Sequence, residues 1–228
     1  AVPHFPSVDP RWASVQRESE LVDKQDVDPR AHFDAIGIAA STGSPQWVEH
    51  IVTSLPPDLP CPVFVALHLP PSFTASSARS VGHKAAIHVI EAEDGMPVLP
   101  GTVYIGRGHQ HLRVIPGRGV MRTHVQVNAN PKQLLFRPSG DELLRSVATV
   151  YRRRSLGIVL SGIGRDGLEG ARAIKAAGGT LWTQTKESCV VYGMPRACDE
   201  AGLSDRSLSP PAIAKRLAGH TLGHAPTA

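Results

Sequence analysis

From residue 35 onward, short apolar runs of strand length alternate with amphipathic helical patterns, and this alternation limits the possible folds more than any other feature. Runs with few polar residues are typical of strands that are buried on both faces of a parallel sheet. They are AIGIAA (35–40), PVFVAL (62–67), AIHVIEA (86–92), LGIVL (156–160) and GTLWTQ (179–184). The sequence therefore predicts the α/β class, with a doubly wound, mainly parallel sheet and helices on both faces in three αβα layers.

The segments between these runs carry helical and hairpin patterns. Helices are predicted over 45–55, 73–83, 139–153, 166–177, 194–201 and 210–218. Ser139 followed by Glu142 forms a capping-box pattern at the start of the third of these helices. TVYIG, HLRVI and VMRTHVQV are instead short alternating β segments, and the turn PGRG (116–119) predicts an antiparallel hairpin from the last two.

Composition excludes several classes of protein. Of the 228 residues 41% are hydrophobic and 19% are charged, which is too apolar for a disordered chain. No apolar run approaches the roughly 20 residues that cross a bilayer, so we expect no membrane insertion. The net charge of +4 is too small to indicate nucleic acid and slightly favours an acidic partner. The three cysteines have no paired spacing, which excludes a disulfide framework and a CxxC zinc site and points to the cytoplasm.

The two ends of the chain differ from its centre. Residues 1–34 are rich in proline near the start and show no sustained period, so we interpret them as a linker or an N-terminal extension. Residues 220–228 are interpreted as a tail. The remaining segment, 35–219, is long enough for one domain with a sizeable core, and it is the predicted catalytic domain.

Three chemically reactive side chains follow three of the predicted strands. Ser41 comes directly after the first strand, His68 after the second, and Asp166 lies in the loop SGIGRDG that follows LGIVL. Ligands of open α/β sheets bind at the carboxyl ends of the strands, where all three residues are expected. They are the residue types of a nucleophile, its general base and the group that orients that base. A helix N-terminus directly after Ser41 would help to hold an oxyanion.

Each of these residues also has a purely structural interpretation, and other sites were considered. Ser41 and Asp166 could cap helices, and His68 could be a buried, hydrogen-bonded histidine. The turn STGS (41–44) could bind an anion at a helix N-terminus, as in a nucleotide-binding module, although the usual glycine-rich motifs are absent. His109 and His111 have the spacing of two metal ligands, but no third ligand is evident, so we expect no metal and no cofactor.

At the level of motifs the chain resembles the catalytic domain of bacterial chemotaxis protein-glutamate methylesterases of the CheB type. The matching segments cover nearly the whole of 35–217, in order and without a large gap. They are IGIAASTGS (36–44), LHLPPSFT (67–74), EAEDGMPVLPGTVYIGRGHQHL (91–112), FRPSGDELLRSVA (136–148), GIVLSGIGRDGLEGARAIKAAGG (157–179) and ESCVVYGMPRACDEAG (187–202).

This resemblance implies a catalytic triad and an activity. Residue by residue, the family's triad falls on Ser41, His68 and Asp166, the same three that end the predicted strands. It implies an oxyanion donor at the backbone N–H of Ile163, and Thr42 against the histidine. The implied reaction is hydrolysis of glutamate γ-methyl esters on the signalling helices of methyl-accepting chemoreceptors, with release of methanol, together with deamidation of receptor glutamines.

The resemblance also bears on the rim of the site and on regulation. The segment GMPR (193–196) lies in a matching loop, and from it we expect Gly193 and Met194 to line the substrate rim. Members of the family usually carry a phosphorylatable receiver domain at the amino end. Residues 1–34 are too short for one, so a receiver domain is a possible partner that this chain does not contain. A catalytically silent scaffold in a chemosensory complex is the remaining alternative, and the intact triad residue types argue against it.

Overall fold

A computed structural model describes residues 33–117 and 123–219. Its centre is a seven-stranded sheet with the strand order β3-β4-β2-β1-β7-β8-β9, in which every neighbouring pair is parallel. The strands of this sheet are β1 (Ala35–Ala40), β2 (Val63–Leu67), β3 (His88–Glu91), β4 (Thr102–Ile105), β7 (Ser155–Val159), β8 (Thr180–Gln184) and β9 (Arg206–Leu208). The doubly wound parallel sheet predicted from the sequence is thus confirmed.

Helices cover both faces of the sheet. They are α1 (Pro45–Thr53), α2 (Pro71–Lys84), α3 (Gly140–Tyr151), α4 (Leu168–Ala176), α5 (Met194–Glu200) and α6 (Pro210–Ala218). Buried side chains of α1, α2 and α6 pack against one face, and those of α3, α4 and α5 pack against the other. Short 3₁₀ turns cover Arg152–Arg154 and Lys186–Ser188. The result is the predicted three-layer arrangement, and its two apolar cores lie on opposite sides of the sheet.

Strand β1 lies at the centre of the sheet, and all of its residues are buried. Its Ile38 is paired with Val65 of β2 on one side and with Ile158 of β7 on the other. The chain moves from β1 to β2 in one direction and returns later to β7 in the other, so the strand order reverses beside β1. Such a reversal opens a crevice at the carboxyl ends of the strands, where ligands of doubly wound folds bind.

The predicted hairpin is present as strands β5 (His111–Pro116) and β6 (Thr123–Asn128), which pair antiparallel. Residues 118 and 119 of the turn that we predicted to join them lie outside the described residues. The segment TVYIG, which we had grouped with the hairpin strands, contains β4, which is buried in the parallel sheet. The hairpin packs with α3 on one face of that sheet, where Leu112 and Val125 belong to the core.

Two features at the borders of the domain were not predicted. Strand β9 extends the sheet by pairing with β8, although its short, partly polar sequence gives no strand signal. Phe33, which lies in the segment we interpreted as a linker, is buried and contacts Trp182 edge to face. Asp34 is bonded to Arg154 through both backbone and side chain. None of the helices within 33–117 and 123–219 has both the length and the hydropathy of a membrane span.

Candidate active site

Ser41 lies at the carboxyl end of β1, directly before the turn that leads into helix α1. Its side chain is almost buried, with 6% of the residue exposed. The Ser41 backbone N–H donates to the carbonyl of Ser161, 3.1 Å away, which ties this turn to the end of β7. Gly43 has a φ of +83°, and a Cβ on it would lie 2.4 Å from the Cβ of Val190. Glycine therefore permits the tight turn that presents Ser41 to the crevice.

His68 lies at the carboxyl end of the neighbouring strand β2. Its backbone N–H donates to the carbonyl of Ala40, 3.0 Å away, which continues the sheet pairing to the residue beside Ser41. The His68 Nδ1 is 3.0 Å from the Ser41 Oγ. One face of the imidazole stacks on the ring of Phe136, with the two centroids 4.2 Å apart and the planes 5° from parallel. The ring is thus held between the serine hydroxyl and an aromatic face.

Asp166 completes this row of side chains from the loop after β7. Its Oδ2 is 2.8 Å from the His68 Nε2, and both side chains are 8% exposed. A carboxylate only accepts hydrogen bonds, so the His68 proton lies on Nε2 and Nδ1 is left to accept the Ser41 hydroxyl proton. The structure therefore brings Ser41, His68 and Asp166 together in the geometry of a nucleophile, a general base and its orienting carboxylate.

The N-terminus of helix α3 surrounds the Asp166 carboxylate with further donors. The backbone N–H of Gly140 donates to Oδ2 at 2.6 Å, and that of Asp141 donates to Oδ1 at 3.1 Å. The Ser139 hydroxyl, 2.8 Å from Oδ1, donates to the same oxygen. Burial raises the pKa of Asp166, but the hydrogen bonds from His68, Gly140 and Ser139 outweigh it, so the pKa lies below its usual value. Asp166 is therefore a buried carboxylate that stays ionised.

Two backbone N–H groups near Ser41 could hold an oxyanion. Neither the N–H of Ile163 nor that of Thr42 takes part in a hydrogen bond with any residue in the described part of the chain. A Cβ on Gly162 would lie 2.7 Å from the Cβ of Ser41, so the backbone directly before Ile163 passes beside the nucleophile. The Thr42 side chain is exposed and makes no hydrogen bond to His68 within the described ranges. The oxyanion role of Ile163 stays a prediction.

The two residues that we predicted at the substrate rim differ in their burial. Gly193 is half-buried, and a Cβ on it would lie 2.6 Å from the carbonyl oxygen of Gly162, so it packs against the loop that carries Ile163. Met194 is completely buried. Its Sδ would lie 2.2 Å from a Cβ on Gly162, which means that it supports the same loop from beneath. The Met194 side chain is therefore not available to a substrate at an open rim.

Sequence reasoning missed Ser161, which connects three loops at the site. Its carbonyl accepts from the Ser41 N–H and from the Ser44 hydroxyl, 2.7 Å away. Its hydroxyl bonds to the backbone of Thr42 and Val191, and its N–H donates to the Gln184 Oε1 at 2.8 Å. The sequence signal was its place at the start of the loop SGIGRDG (161–167), but its hydrogen-bond partners lie in distant parts of the chain.

Phe136, Ser139 and Gly140 were also missed as parts of the site. All three lie in a segment that showed family resemblance and, for Ser139, a capping pattern. Ser139 does cap α3, because its Oγ accepts from the Glu142 N–H at 3.4 Å. The Glu142 carboxylate does not complete the capping box, since it pairs with Arg113 and Arg145.

The two histidines considered as metal ligands have different surroundings. His111 is buried, and both of its ring nitrogens bond to backbone groups of Pro131 and Ser139. His109 is exposed. Among the described residues, no three histidine, cysteine or acidic side chains are grouped closely enough to hold a metal ion.

A comparison with known protein families shows to which family the chain belongs. The family model described as CheB methylesterase matches residues 36–217, which is most of the chain. The chain belongs to the CheB methylesterase family. The match includes all three strand ends that carry Ser41, His68 and Asp166, so the site described above lies inside the family domain.

Individual members of the family agree with this placement. The chain is 43% identical over 172 residues to a protein-glutamate methylesterase/protein-glutamine glutaminase of Oleidesulfovibrio alaskensis, covering 75% of this chain and 46% of the relative. It is 39% identical over 186 residues to one of Pseudoalteromonas translucida, covering 82% of this chain and 47% of the relative. The chain therefore spans about half the length of the curated relatives that it matches.

Among solved structures, the fold is similar to the crystal structure of the Thermotoga maritima CheB methylesterase catalytic domain. The TM-score is 0.78 and the sequence identity is 35%, over 82% of this chain and 98% of that one. The CheB methylesterase domain of this chain thus corresponds to almost the whole of a solved catalytic domain.

Proposed function

We propose that this protein is a serine hydrolase that removes the γ-methyl ester from glutamate side chains of methyl-accepting chemoreceptors and releases methanol. The observation that carries the proposal is the continuous row Ser41–His68–Asp166, with 3.0 Å and 2.8 Å between the successive partners. The names of the relatives, protein-glutamate methylesterase/protein-glutamine glutaminase, give the substrate class and support deamidation of receptor glutamines by the same residues.

In the first half of the reaction, the Ser41 Oγ attacks the ester carbonyl carbon while the His68 Nδ1 takes the hydroxyl proton. The imidazolium that forms donates through Nε2 to Asp166, whose negative charge stabilises it. The face of Phe136 lies against the same ring and stabilises positive charge on it. The tetrahedral intermediate carries its charge on the former carbonyl oxygen, toward which the N–H groups of Ile163 and Thr42 would donate.

Collapse of this intermediate expels methoxide, which takes the proton from the His68 Nδ1 and leaves as methanol. Water then attacks the acyl-enzyme, with His68 again as general base, and releases glutamate and free Ser41. For a glutamine substrate the leaving group is ammonia, and the acyl-enzyme and its hydrolysis are the same. Neither half-reaction needs a metal or an organic cofactor.

The proposed partner and location agree with the composition of the chain. The net charge of +4 on this chain slightly favours an acidic partner, which suits a protein segment that carries glutamates. We place the enzyme in the cytoplasm, a location favoured by its three cysteines without paired spacing. A receiver domain acting on the catalytic domain, whether or not on the same chain, is the proposed route of regulation.

The test uses two measurements on the full chain, methanol release from a methylated receptor fragment and covalent labelling by a fluorophosphonate. Wild-type protein is expected to release methanol and to be labelled at Ser41. Ser41→Ala is expected to lose both activities and to unfold at the same temperature as wild type, since the change removes one nearly buried hydroxyl.

Ser76→Ala is the matched control, because Ser76 is an exposed serine whose hydroxyl, among the residues that the structure describes, bonds only to its own helix. It should leave both activities unchanged. Near wild-type methanol release by Ser41→Ala would overturn the serine mechanism. Labelling of wild type at Ser41 without any methanol release would retain a serine hydrolase and overturn the proposed substrate.

A further inference from the structure

Ser139 connects the row Ser41–His68–Asp166 to the hairpin, because its hydroxyl contacts Asp166 and its backbone contacts His111. The residue is 3% exposed, and its hydroxyl proton is directed to the Asp166 Oδ1 at 2.8 Å. Its backbone dihedrals are extended, so the chain turns at Ser139 and aims the N–H groups of the next two residues at the same carboxylate. The position of Ser139 therefore determines three of the donors that hold Asp166.

A second buried histidine determines the position of Ser139. The backbone N–H of Ser139 donates to the His111 Nδ1 at 3.3 Å, and the His111 Nε2 is 3.2 Å from the carbonyl of Pro131. A backbone N–H can only donate and a carbonyl can only accept, so the two partners fix the neutral tautomer with the proton on Nε2. His111 is completely buried at the start of β5, which makes this contact a fixed part of the hairpin.

The charged groups around His111 also favour the neutral ring. Burial lowers the pKa of His111, and the nearby guanidinium groups of Arg113 and Arg137 lower it further. The Pro131 carbonyl and the Glu142 carboxylate raise it but do not outweigh burial, so the pKa of His111 lies below its usual value. A protonated ring would place a second N–H against that of Ser139. The neutral His111 is thus the form that holds Ser139 in place.

We propose that Ser139 and His111 are positioning residues for the reaction at Ser41, with His111 fixing the Ser139 backbone and Ser139 fixing the Asp166 carboxylate. This inference rests on the proposed function, because it assigns the two residues a role in the same reaction. The row of contacts is then five residues long, from His111 at the start of β5 to Ser41 in the crevice, and it passes through the backbone N–H and the hydroxyl of Ser139. Neither residue touches a substrate, and both act through Asp166.

The test compares Ser139→Ala with Ser139→Thr, which keeps the hydroxyl. The readouts are the rate of fluorophosphonate labelling at Ser41 and, for methanol release, kcat and KM separately. A hydrogen bond to a charged group is lost in the alanine variant, so we expect labelling and kcat to fall about tenfold with KM unchanged. The threonine variant should recover most of this loss.

Ser146→Ala is the matched control. Ser146 lies on the same helix and also bonds to the hairpin, through the Val114 N–H at 3.0 Å, but it makes no contact with Asp166. Ser146→Ala should change the free energy of unfolding without changing the labelling rate at Ser41.

His111 is tested with the same readouts. Asn keeps an acceptor close to the place of Nδ1 and Leu does not, so His111→Asn should retain a faster labelling rate and a higher kcat than His111→Leu.

A double variant separates positioning from a merely structural role. If Ser139 acts through Asp166, adding Ser139→Ala to Asp166→Asn should slow labelling by less than about twofold beyond Asp166→Asn alone, since residues that act as a unit are not additive. A full further tenfold loss in the double variant, or no loss in Ser139→Ala, would overturn the proposal. Failure of wild type to be labelled at Ser41 would overturn both this proposal and the proposed function, whereas labelling without methanol release would affect only the substrate.

Discussion

The backbone N–H of Gly140 lies 2.6 Å from the Oδ2 of Asp166, so the first residue of helix α3 is in direct contact with the carboxylate that orients His68. The absence of a side chain at Gly140 permits this approach. A Cβ there would lie 2.6 Å from the Cβ of Ala39 and 3.3 Å from Oδ2. The positive end of the α3 dipole is thereby brought against the ionised carboxylate of Asp166, which it stabilises.

Gly140→Ala should therefore displace the start of α3 and loosen the hold on Asp166. We expect a loss of about 1–3 kcal/mol in the free energy of unfolding, which is typical of overpacking a core, and a slower labelling of Ser41. The measurements are urea unfolding and fluorophosphonate labelling.

Two further variants test the cause of this loss. Gly82→Ala is the control, because a Cβ on this α2 residue would meet only ordinary contacts beyond 3.4 Å and alanine favours a helix. Adding Ala39→Gly to Gly140→Ala removes the nearest clashing atom and should recover part of the stability. No recovery would show that the contact with Ala39 is not the cause.

Asp166→Asn should lower turnover by roughly 10–10⁴-fold, following the corresponding change in a serine protease triad. The Asn amide can donate to His68 where the carboxylate only accepts, so it favours the tautomer with the proton on Nδ1, which cannot take the Ser41 proton. The amide nitrogen cannot accept, so a backbone N–H of α3 is left without an acceptor. The measurement is methanol release from a methylated receptor fragment.

The double variant with Ser41→Ala should cost almost nothing beyond Ser41→Ala alone, because triad members act as one unit. Full activity of Asp166→Asn would remove Asp166 from the reaction and leave it only the structural role of binding the N-terminus of α3.

Phe136→Leu should slow the reaction without unfolding the protein. The Phe136 ring stacks on His68, and the loss of an aromatic face against a developing imidazolium is worth about 0.5–2 kcal/mol, or roughly 2–30-fold in rate. The labelling rate at Ser41 measures this effect independently of any receptor. Leu135→Ala is the control, since the adjacent side chain is 87% exposed. Equal effects of the two changes would argue against the stacking.

The three cysteines should be unreactive in the folded protein at neutral pH. Burial raises the pKa of Cys61, Cys189 and Cys198 to about 12, from a usual value of 9.0. Only the thiolate reacts, so at pH 8 the reactive fraction is about 10⁻⁴ rather than about one tenth, and it grows as the pH rises toward 12. Iodoacetamide at pH 8 should alkylate the urea-unfolded chain about a thousandfold faster.

The same reagent should leave labelling of Ser41 in the folded protein unchanged. Rapid alkylation of Cys189 in the native state, accompanied by loss of Ser41 labelling, would contradict this picture.

Much of the fold was predictable because its signals are local. Strand β1 is a continuous apolar run, and helix α6 begins at Pro210 after a serine cap, so the boundaries of both were predicted correctly. Strand β9 was missed because its residues have no strand pattern of their own, and it forms only where β8 offers an unpaired edge. The capping box predicted at Ser139 is only half formed for a similar reason, since the Glu142 carboxylate pairs with Arg113 of the hairpin instead of the Ser139 N–H.

Apolar periodicity and short motifs along the chain were enough to predict the class of fold, the strand ends and the residue types that follow them. The position of β1 between β2 and β7, which brings Ser41, His68 and Asp166 within hydrogen-bonding distance, is set by the assembly of the sheet. The donors to Asp166 are set in the same way, since Ser139 and Gly140 lie 27 and 26 residues away along the chain. Contacts of this kind depend on packing between separate elements, and no local pattern encodes them.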